Sequence, residues 1–279
     1  LEFRRVLFRS APLNNPADWE DTGARLPDNL SGSQLAVIDG YMYLFGGQID
    51  KDATDAIYMA SITNPLIWID TGFNLPAKLH NSQLGIADGY VYLFGGCGPN
   101  GAVDTIFRSS TSSPLVWSDT GDTLPEAFYG SHIGLIGNTF YLFGGSVDGA
   151  TAIDTIYKAP LSTPTTFSNV GTLPEPAFFG QFFTYGDFGY MVVPVGTNNI
   201  EPFTVLMRCE LSNPLDWELS TNIDGNAIQS QVAIIYDRIF MFGGNGSSLI
   251  FTHDLRMKFP ITPGSPSQVY GNITRTQYQ

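Results

Sequence analysis

Charge is scarce in this sequence. Asp, Glu, Lys and Arg make up only 14% of its 279 residues, and Lys with Arg number 13 against 26 acids. Phosphate binding draws its free energy from clustered Lys and Arg, so a net charge of −13 with no basic cluster beyond the first ten residues argues against a nucleic-acid partner. No apolar run approaches the length of a membrane span, so membrane insertion is not expected and the chain reads as soluble. The two cysteines, Cys97 and Cys209, stand at different phases of the sequence period described below and form no framework of bridges, which leaves the redox compartment open. Only three histidines exist, His80, His132 and His253, and the last falls on an outer strand, so three metal ligands cannot readily meet. A Gly-x-Ser-x-Gly nucleophile motif is absent. Neither a cofactor nor a metal is therefore expected.

Glycine and proline are plentiful instead, at 30 and 18 residues, with aromatics at 13%. That is what many short strands and turns require. Tyr43-Leu44-Phe45-Gly46-Gly47 returns 49 residues on as Tyr92-Leu93-Phe94-Gly95-Gly96, and again as Tyr141-Leu142-Phe143-Gly144-Gly145. Three apolar residues ending in two glycines read as a buried strand stopping at a turn that needs positive φ or close backbone approach. Ahead of it runs a strand such as Ser33 to Ile38, closed by the hairpin pair Asp39-Gly40. A third strand follows at Asp55 to Ala60, Asp104 to Arg108 and Asp154 to Ala159. A turn dipeptide then leads into a strand carrying Trp19, Trp68, Trp117 or Trp217, with Phe167 in the looser copy. Loops centred on Leu-Pro, at residues 26, 75, 124 and 173, connect each unit to the next. Four short antiparallel strands cannot bury both faces unaided, and radial stacking of such sheets solves this. The hairpin strands are apolar on both faces, Leu35 and Val37 against Ala36 and Ile38, as sheets packed on two sides would be.

A diglycine after an apolar strand, a following strand tyrosine and a later tryptophan resemble the kelch repeat of β-propeller proteins over residues 15 to about 259. The expected fold is all-β, a propeller of four-stranded antiparallel blades. Complete blades are read at about 33–70, 82–119, 131–168 and 181–218. A fifth, from Ser230 through Phe240 to Gly244 and on to Lys258, lacks its tryptophan strand, and the strand from Asn15 to Asp21 is left over at the start. Five blades closed by that N-terminal strand are expected; the alternative is a fragment of a six- or seven-bladed ring. Residues 1–10 fit no phase of the repeat and read as a non-native leader, 11–261 as the propeller and 262–279 as a flexible tail. The fourth blade departs from the pattern, with Val195-Gly196 read as its remnant of the diglycine.

In such a blade the Leu-Pro loops and the loops after the second strand share one face, the expected binding face. Equivalent positions just before each first strand are read as Ser31, His80, Tyr129, Phe179 and Ile228, with Asp28, Ala77, Glu126 and Glu175 directly after each Leu-Pro. Tyr129, Phe179, Glu126, Glu175 and His132 are therefore candidate ligand contacts in one sector, with His80 beside them. Rings offer flat apolar area and acids accept hydrogen bonds from hydroxyls, which suits sugar or peptide recognition; ordinary surface decoration of a repeat is the alternative. Ser33-Gln34, Ser82-Gln83, Ser131-His132 and Ser230-Gln231 start the innermost strands and are read as a polar ring around the channel. Ser118-Asp119-Thr120-Gly121 resembles the aspartate box of sialidases without its trailing aromatic, at a place where the repeat demands a turn. The resemblance implies a non-catalytic module binding a protein or cell-surface glycan, similar to kelch-like arrays of phage tail or adhesion proteins in an extracellular or virion-associated setting. A glycosidase-like propeller enzyme using Glu126 and Glu175 is the alternative.

Overall fold

In the computed structural model, the described residues are 7–10, 20–195, 203–223, 231–235, 238–242 and 250–254. The fold is that of a β-propeller: all-β, with no helix among the described residues, and built from four-stranded antiparallel meanders, the first of which gains a short fifth strand, Leu30–Ser31, paired with Tyr41–Ile49. The chain divides into two compact units, Leu1–Phe178 and Phe179–Gln279.

The first unit holds three blades. Their strands are Gln34–Ile38, Tyr41–Ile49, Asp52–Ser61 and Ile69–Asn74 in blade 1. Blade 2 has Gln83–Ala87, Tyr90–Gly98, Gly101–Ser110 and Trp117–Thr123. Blade 3 has His132–Ile136, Thr139–Ser146, Ala152–Pro160 and Ser168–Thr172. The second unit holds blade 4, Gln181–Tyr185, Phe188–Val195, Phe203–Glu210 and Trp217–Ile223. It also holds a sheet with three described strands, Gln231–Ile235, Arg238–Phe242 and Ile250–Asp254. Four blades are thus complete among the described residues. Trp19 and most of the strand expected to close a fifth blade lie outside them. From Glu20 the chain forms strand Glu20–Arg25, whose partner is Leu7–Ser10, in the segment read as a leader.

The core of the first unit lies between adjacent sheets. Phe45, Ile57, Leu79, Leu93 and Phe107 fill the space between blades 1 and 2, and Phe94, Ile106, Phe128, Phe140 and Leu142 that between blades 2 and 3. The diglycine-strand phenylalanine of one blade meets the fourth-strand aromatic of the next edge-on: Phe45 and Trp117 at 4.8 Å, Phe94 and Phe167 at 5.2 Å. Pairs of this kind contribute about 0.5–1.5 kcal/mol beyond their area. Each tryptophan also donates its indole N–H to the carbonyl of the preceding turn proline, Trp68 to Pro65, Trp117 to Pro114 and Trp217 to Pro214. Burial on both faces of the hairpin strands is not uniform, since Leu35 and Val37 of blade 1 remain 55% and 58% exposed while their opposites Ala36 and Ile38 are buried.

The diglycines fasten one blade to the next. Gly46, Gly95 and Gly144 have φ near +60°, and each is followed by a glycine at +113° to +118°. A β-bulge accompanies each pair in the ladder to the third strand. The second glycine donates its N–H to the next Leu-Pro loop: Gly47 to Leu79, Gly96 to Phe128, Gly145 to Ala177, at 2.7, 3.1 and 2.7 Å. The first glycine packs so close to the same carbonyl that a Cβ would lie 2.4, 2.8 or 2.2 Å from it. Glycine is required here for both conformation and space.

In blade 4 the ladder corrects the expected alignment. Gln181 pairs with Val192 as His132 pairs with Phe143, so Val193-Pro194 occupies the diglycine position rather than Val195-Gly196. Gly196 itself lies outside the described residues. The pairing of this strand with the third runs without a register shift from Phe188 to Val195, and neither Val193 nor Pro194 has positive φ. Pro194 has no N–H to donate at the position where Gly47, Gly96 and Gly145 each give one.

Candidate functional site

The loops entering the first three blades pair antiparallel with the residue after the diglycine, through the short strand Leu30–Ser31 in blade 1 and through single isolated bridges in blades 2 and 3. Ser31 pairs with Gln48, His80 with Cys97 and Tyr129 with Ser146. One residue later the backbone turns left-handed, at Gly32, Asn81 and Gly130, with φ of +64°, +52° and +62°. These turn residues bond to one another across blades, Asn81 N–H to Gly32 carbonyl at 2.8 Å and Gly130 N–H to Asn81 carbonyl at 3.1 Å. Direct bonding between equivalent residues of successive blades makes this row the line along which the loops entering the three blades meet.

Phe179 shares this left-handed conformation, with φ of +55°. It is therefore the counterpart of Gly130, and the counterpart of Tyr129 is Phe178, whose predecessor Ala177 accepts from Gly145 as Phe128 accepts from Gly96. The expected equivalence of Phe179 with Tyr129 is off by one residue. His80, Tyr129 and Phe178, all partly exposed, form a row of rings: His80 and Tyr129 lie 6.1 Å apart at 69°, Tyr129 and Phe178 5.5 Å apart at 80°. Three successive loops thus deliver one aromatic side chain each to a common place.

Polar groups fix this row. Gln48 Nε2 lies 3.1 Å from His80 Nε2, and Asn81 Nδ2 2.8 Å from His80 Nδ1. Gln48 also donates to the Lys51 carbonyl. A neutral imidazole has one N–H and one lone pair, so the tautomer of His80 decides which of the two amides donates to the ring. Burial lowers the His80 pKa from its ordinary value, which favours that neutral form. Gly149, at φ +78°, approaches Tyr129 so closely that a Cβ there would stand 1.9 Å from the phenol oxygen. The loop bearing Gly149 is built around Asp148, which accepts from the N–H groups of Thr151 and Ala150 and from the hydroxyls of Thr151 and Ser146. These bonds, led by that from Thr151 N–H, pull the Asp148 pKa down to about 2. Burial, then the Cys97 thiol and the Asp148 carboxylate, raise the Tyr129 phenol.

The other expected contacts are placed elsewhere. His132 is buried in the first strand of blade 3, 5% exposed, and desolvation lowers its pKa to about 4. Glu126 is exposed at the outer side of the Leu-Pro loop, where its carboxylate accepts from Tyr157 Oη of the third strand at 3.3 Å. Asp28 accepts from Tyr58 Oη in the same way at 2.6 Å. Blade 2 has Ala77 and Phe107 at these two positions, losing acid and hydroxyl together. Met207 stands at the tyrosine position of blade 4, so no hydroxyl is available there for Glu175. Of the serines read as a polar ring, Ser82 and Ser131 are 3% exposed and pack beneath the diglycine of their own blade, as does Ser33. Gln34 and Gln83 are partly exposed, Gln83 donating to the Ser82 carbonyl. Ser230 and Ile228 lie outside the described residues, and Gln231 opens a strand whose side chains are not described. Asp119 of the sialidase-like stretch accepts from Gly121 N–H, a bond repeated at Asp70 with Gly72 and Asp21 with Gly23, so its carboxylate closes a turn. Among the described residues no group of three or more His, Cys, Asp or Glu could hold a metal ion.

No protein-family model matches the chain, and no curated protein matches it.

Sequence reasoning missed Phe178, Asn81 and Asp148. The Phe178-Phe179 doublet hid the first, because only backbone conformation separates its two members. Asn81 and Gly130 sit one period apart, and that pairing of the two residue types most tolerant of positive φ was a legible signal.

Proposed function

We propose that this chain is a kelch-like β-propeller acting as a non-catalytic binding module, taking a protein or a cell-surface glycan at the loops that enter its blades. The row of rings His80, Tyr129 and Phe178 carries this reading, since a purely structural loop has no need of an aromatic, partly exposed side chain at the same loop position of three blades. Loops on a rigid scaffold are where such recognition concentrates. The hydrogen bond from Tyr157 to Glu126, echoed by Tyr58 and Asp28, supports a loop-fastening role for the carboxylate that a glycosidase reading would need as acid or base.

The test is a glycan and protein array probed with the wild type and Tyr129→Ala, with hydrolysis followed on every glycan retained. Binding without turnover that Tyr129→Ala abolishes is expected. Turnover of a bound glycan, or equal binding by the variant, would overturn the reading.

A further inference from the structure

One pair of facing positions on the third and fourth strands holds different residues in each blade, and the exchanges follow charge. Met59 stands across from Ile69 in blade 1, apolar against apolar. In blade 4 Arg208 stands across from Glu218, and the two form an ion pair between the guanidinium Nε and the carboxylate Oε1. Blade 2 keeps the arginine and loses the acid: Arg108 stands across from Ser118, and both are exposed. No carboxylate among the described residues forms an ion pair with Arg108, although the charge of Asp88, in the hairpin, is felt at the neighbouring Tyr92 phenol. We infer that Arg108 is a docking point for a carboxylate side chain, aspartate or glutamate, of a partner protein.

The surroundings of the two arginines match. Arg108 Cζ lies 5.0 Å from the Tyr90 ring centre, and Arg208 Cζ 5.0 Å from that of Phe188. The flanking rings repeat one arrangement, Tyr90 with Tyr92 at 6.3 Å and 51°, Phe188 with Tyr190 at 6.3 Å and 55°. Each guanidinium is hydrogen-bonded to the buried phenol beside it: burial raises the Tyr92 pKa and Arg108 opposes that rise, as Arg208 does at Tyr190. A guanidinium laid on a ring and tied to a phenol has little freedom left to lose when a carboxylate arrives. Blade 4 shows what this frame accepts, because its own Glu218 takes the place that blade 2 leaves to solvent. Glu218 reaches it from a neighbouring extended strand, as a side chain of a bound peptide would, and a net charge of −13 repels a polyanionic chain far more than one carboxylate. Blade 3 sets Lys158 across from Ser168 but has Thr139 where the ring stands, so it lacks the frame.

The second strand of blade 2 runs from Tyr90 to Gly98, with Arg108 beside its start and the pairing of Cys97 with His80 at its end. The docking point is therefore separate from the row of rings, and its failure would leave the reading of the loops standing. Its test pans a random heptapeptide display library on the full chain, after depletion on Ser118→Glu, the variant that installs the carboxylate of blade 4. The enriched peptides share an Asp or Glu at one position. Exchange of that acid for its amide weakens binding about tenfold or more, and so do Arg108→Gln and Ser118→Glu. Arg108→Lys, which keeps the charge and loses the planar fork, weakens it several-fold, and added salt weakens the wild-type complex. Failure to enrich any peptide, enrichment without a shared acid, or equal binding by Arg108→Gln overturns the docking point. Methyl glucuronide displacing the enriched peptides at a lower concentration than N-acetylglutamate amide would assign the arginine to an acidic sugar and overturn the partner-protein assignment. Thermal melts of the Arg108 and Ser118 variants separate a lost site from a lost fold.

Discussion

Blade 3 and blade 4 solve the same strand with different residues. In blade 3, Gly144-Gly145 bends the second strand with a bulge and passes an N–H forward to Ala177. In blade 4, Val193-Pro194 runs straight through the same position, with Val193 fully buried and Pro194 unable to donate. The hairpin survives either way, because its apolar registers hold it. What the glycines add is the joint to the next loop, so the motif that marks the repeat belongs to the seam between blades more than to the blade.

The comparison breaks most sharply at Gly144. Gly144→Val imports the blade-4 residue into a site with φ of +61° and a carbonyl 2.2 Å from the new Cβ. It should cost about 4 kcal/mol or prevent folding, read from denaturant melts. Val193→Gly, the reverse exchange, should cost only about 2 kcal/mol, the value of one buried valine. If the two costs were equal, the seam would not depend on glycine.

His132 gives the next effect. Its counterparts are Gln34, Gln83 and Gln181, and it alone of the four carries an ionisable side chain. Desolvation holds its folded pKa at about 4, below the ordinary histidine value of 6.5, so the unfolded chain binds the extra proton between those values. Stability is therefore full above pH 6.5 and lost as pH falls toward 4, by up to about 3 kcal/mol. His132→Gln should flatten that acid limb of the melting-temperature profile; an unaltered limb would place the acid sensitivity elsewhere.

Smaller effects sharpen the contrast between blades with and without the acid–tyrosine bond. Asp28→Ala should cost about 1 kcal/mol through loss of the Tyr58 bond. Ala77→Glu combined with Phe107→Tyr should restore the bond to blade 2 and raise stability by about 0.5 kcal/mol, with neither substitution alone doing so. Least of all, Gly130→Asn should change stability by no more than about 0.5 kcal/mol, because Asn81 already holds that conformation in the preceding blade.

The period of the diglycines made the blades legible, since a residue that must be glycine leaves an unambiguous trace. The same trace misled in blade 4. Gly196 lies close to the expected position, but the ladder from Gln181 and Val192 counts from the strand's start and puts Val193-Pro194 there. Periodicity likewise could not say which way a side chain is used. Ser33, Ser82 and Ser131 recur one period apart and Ser82 and Ser131 are buried under the glycines, whereas the position of His80 and Tyr129 changes residue from blade to blade and is partly exposed. Recurrence reports a constraint, and a constraint on packing repeats as readily as one on binding. The rings became legible only through the left-handed turns at Asn81, Gly130 and Phe179, which fix the register of the loops independently of what their side chains are.

The forward N–H from each diglycine has a consequence for how such an array can lengthen. Each joint consists of a knob in one 49-residue segment and a socket, the carbonyl at Leu79, Phe128 or Ala177, in the next. Any duplicated stretch of one period therefore carries one knob and one socket wherever its ends fall, and both new junctions are complementary at once. Gene duplication can add blades here without inventing an interface. Pro194 interrupts that inheritance: a copy of blade 4 would carry the socket but no knob, although the sequence returns to a diglycine at Gly243-Gly244.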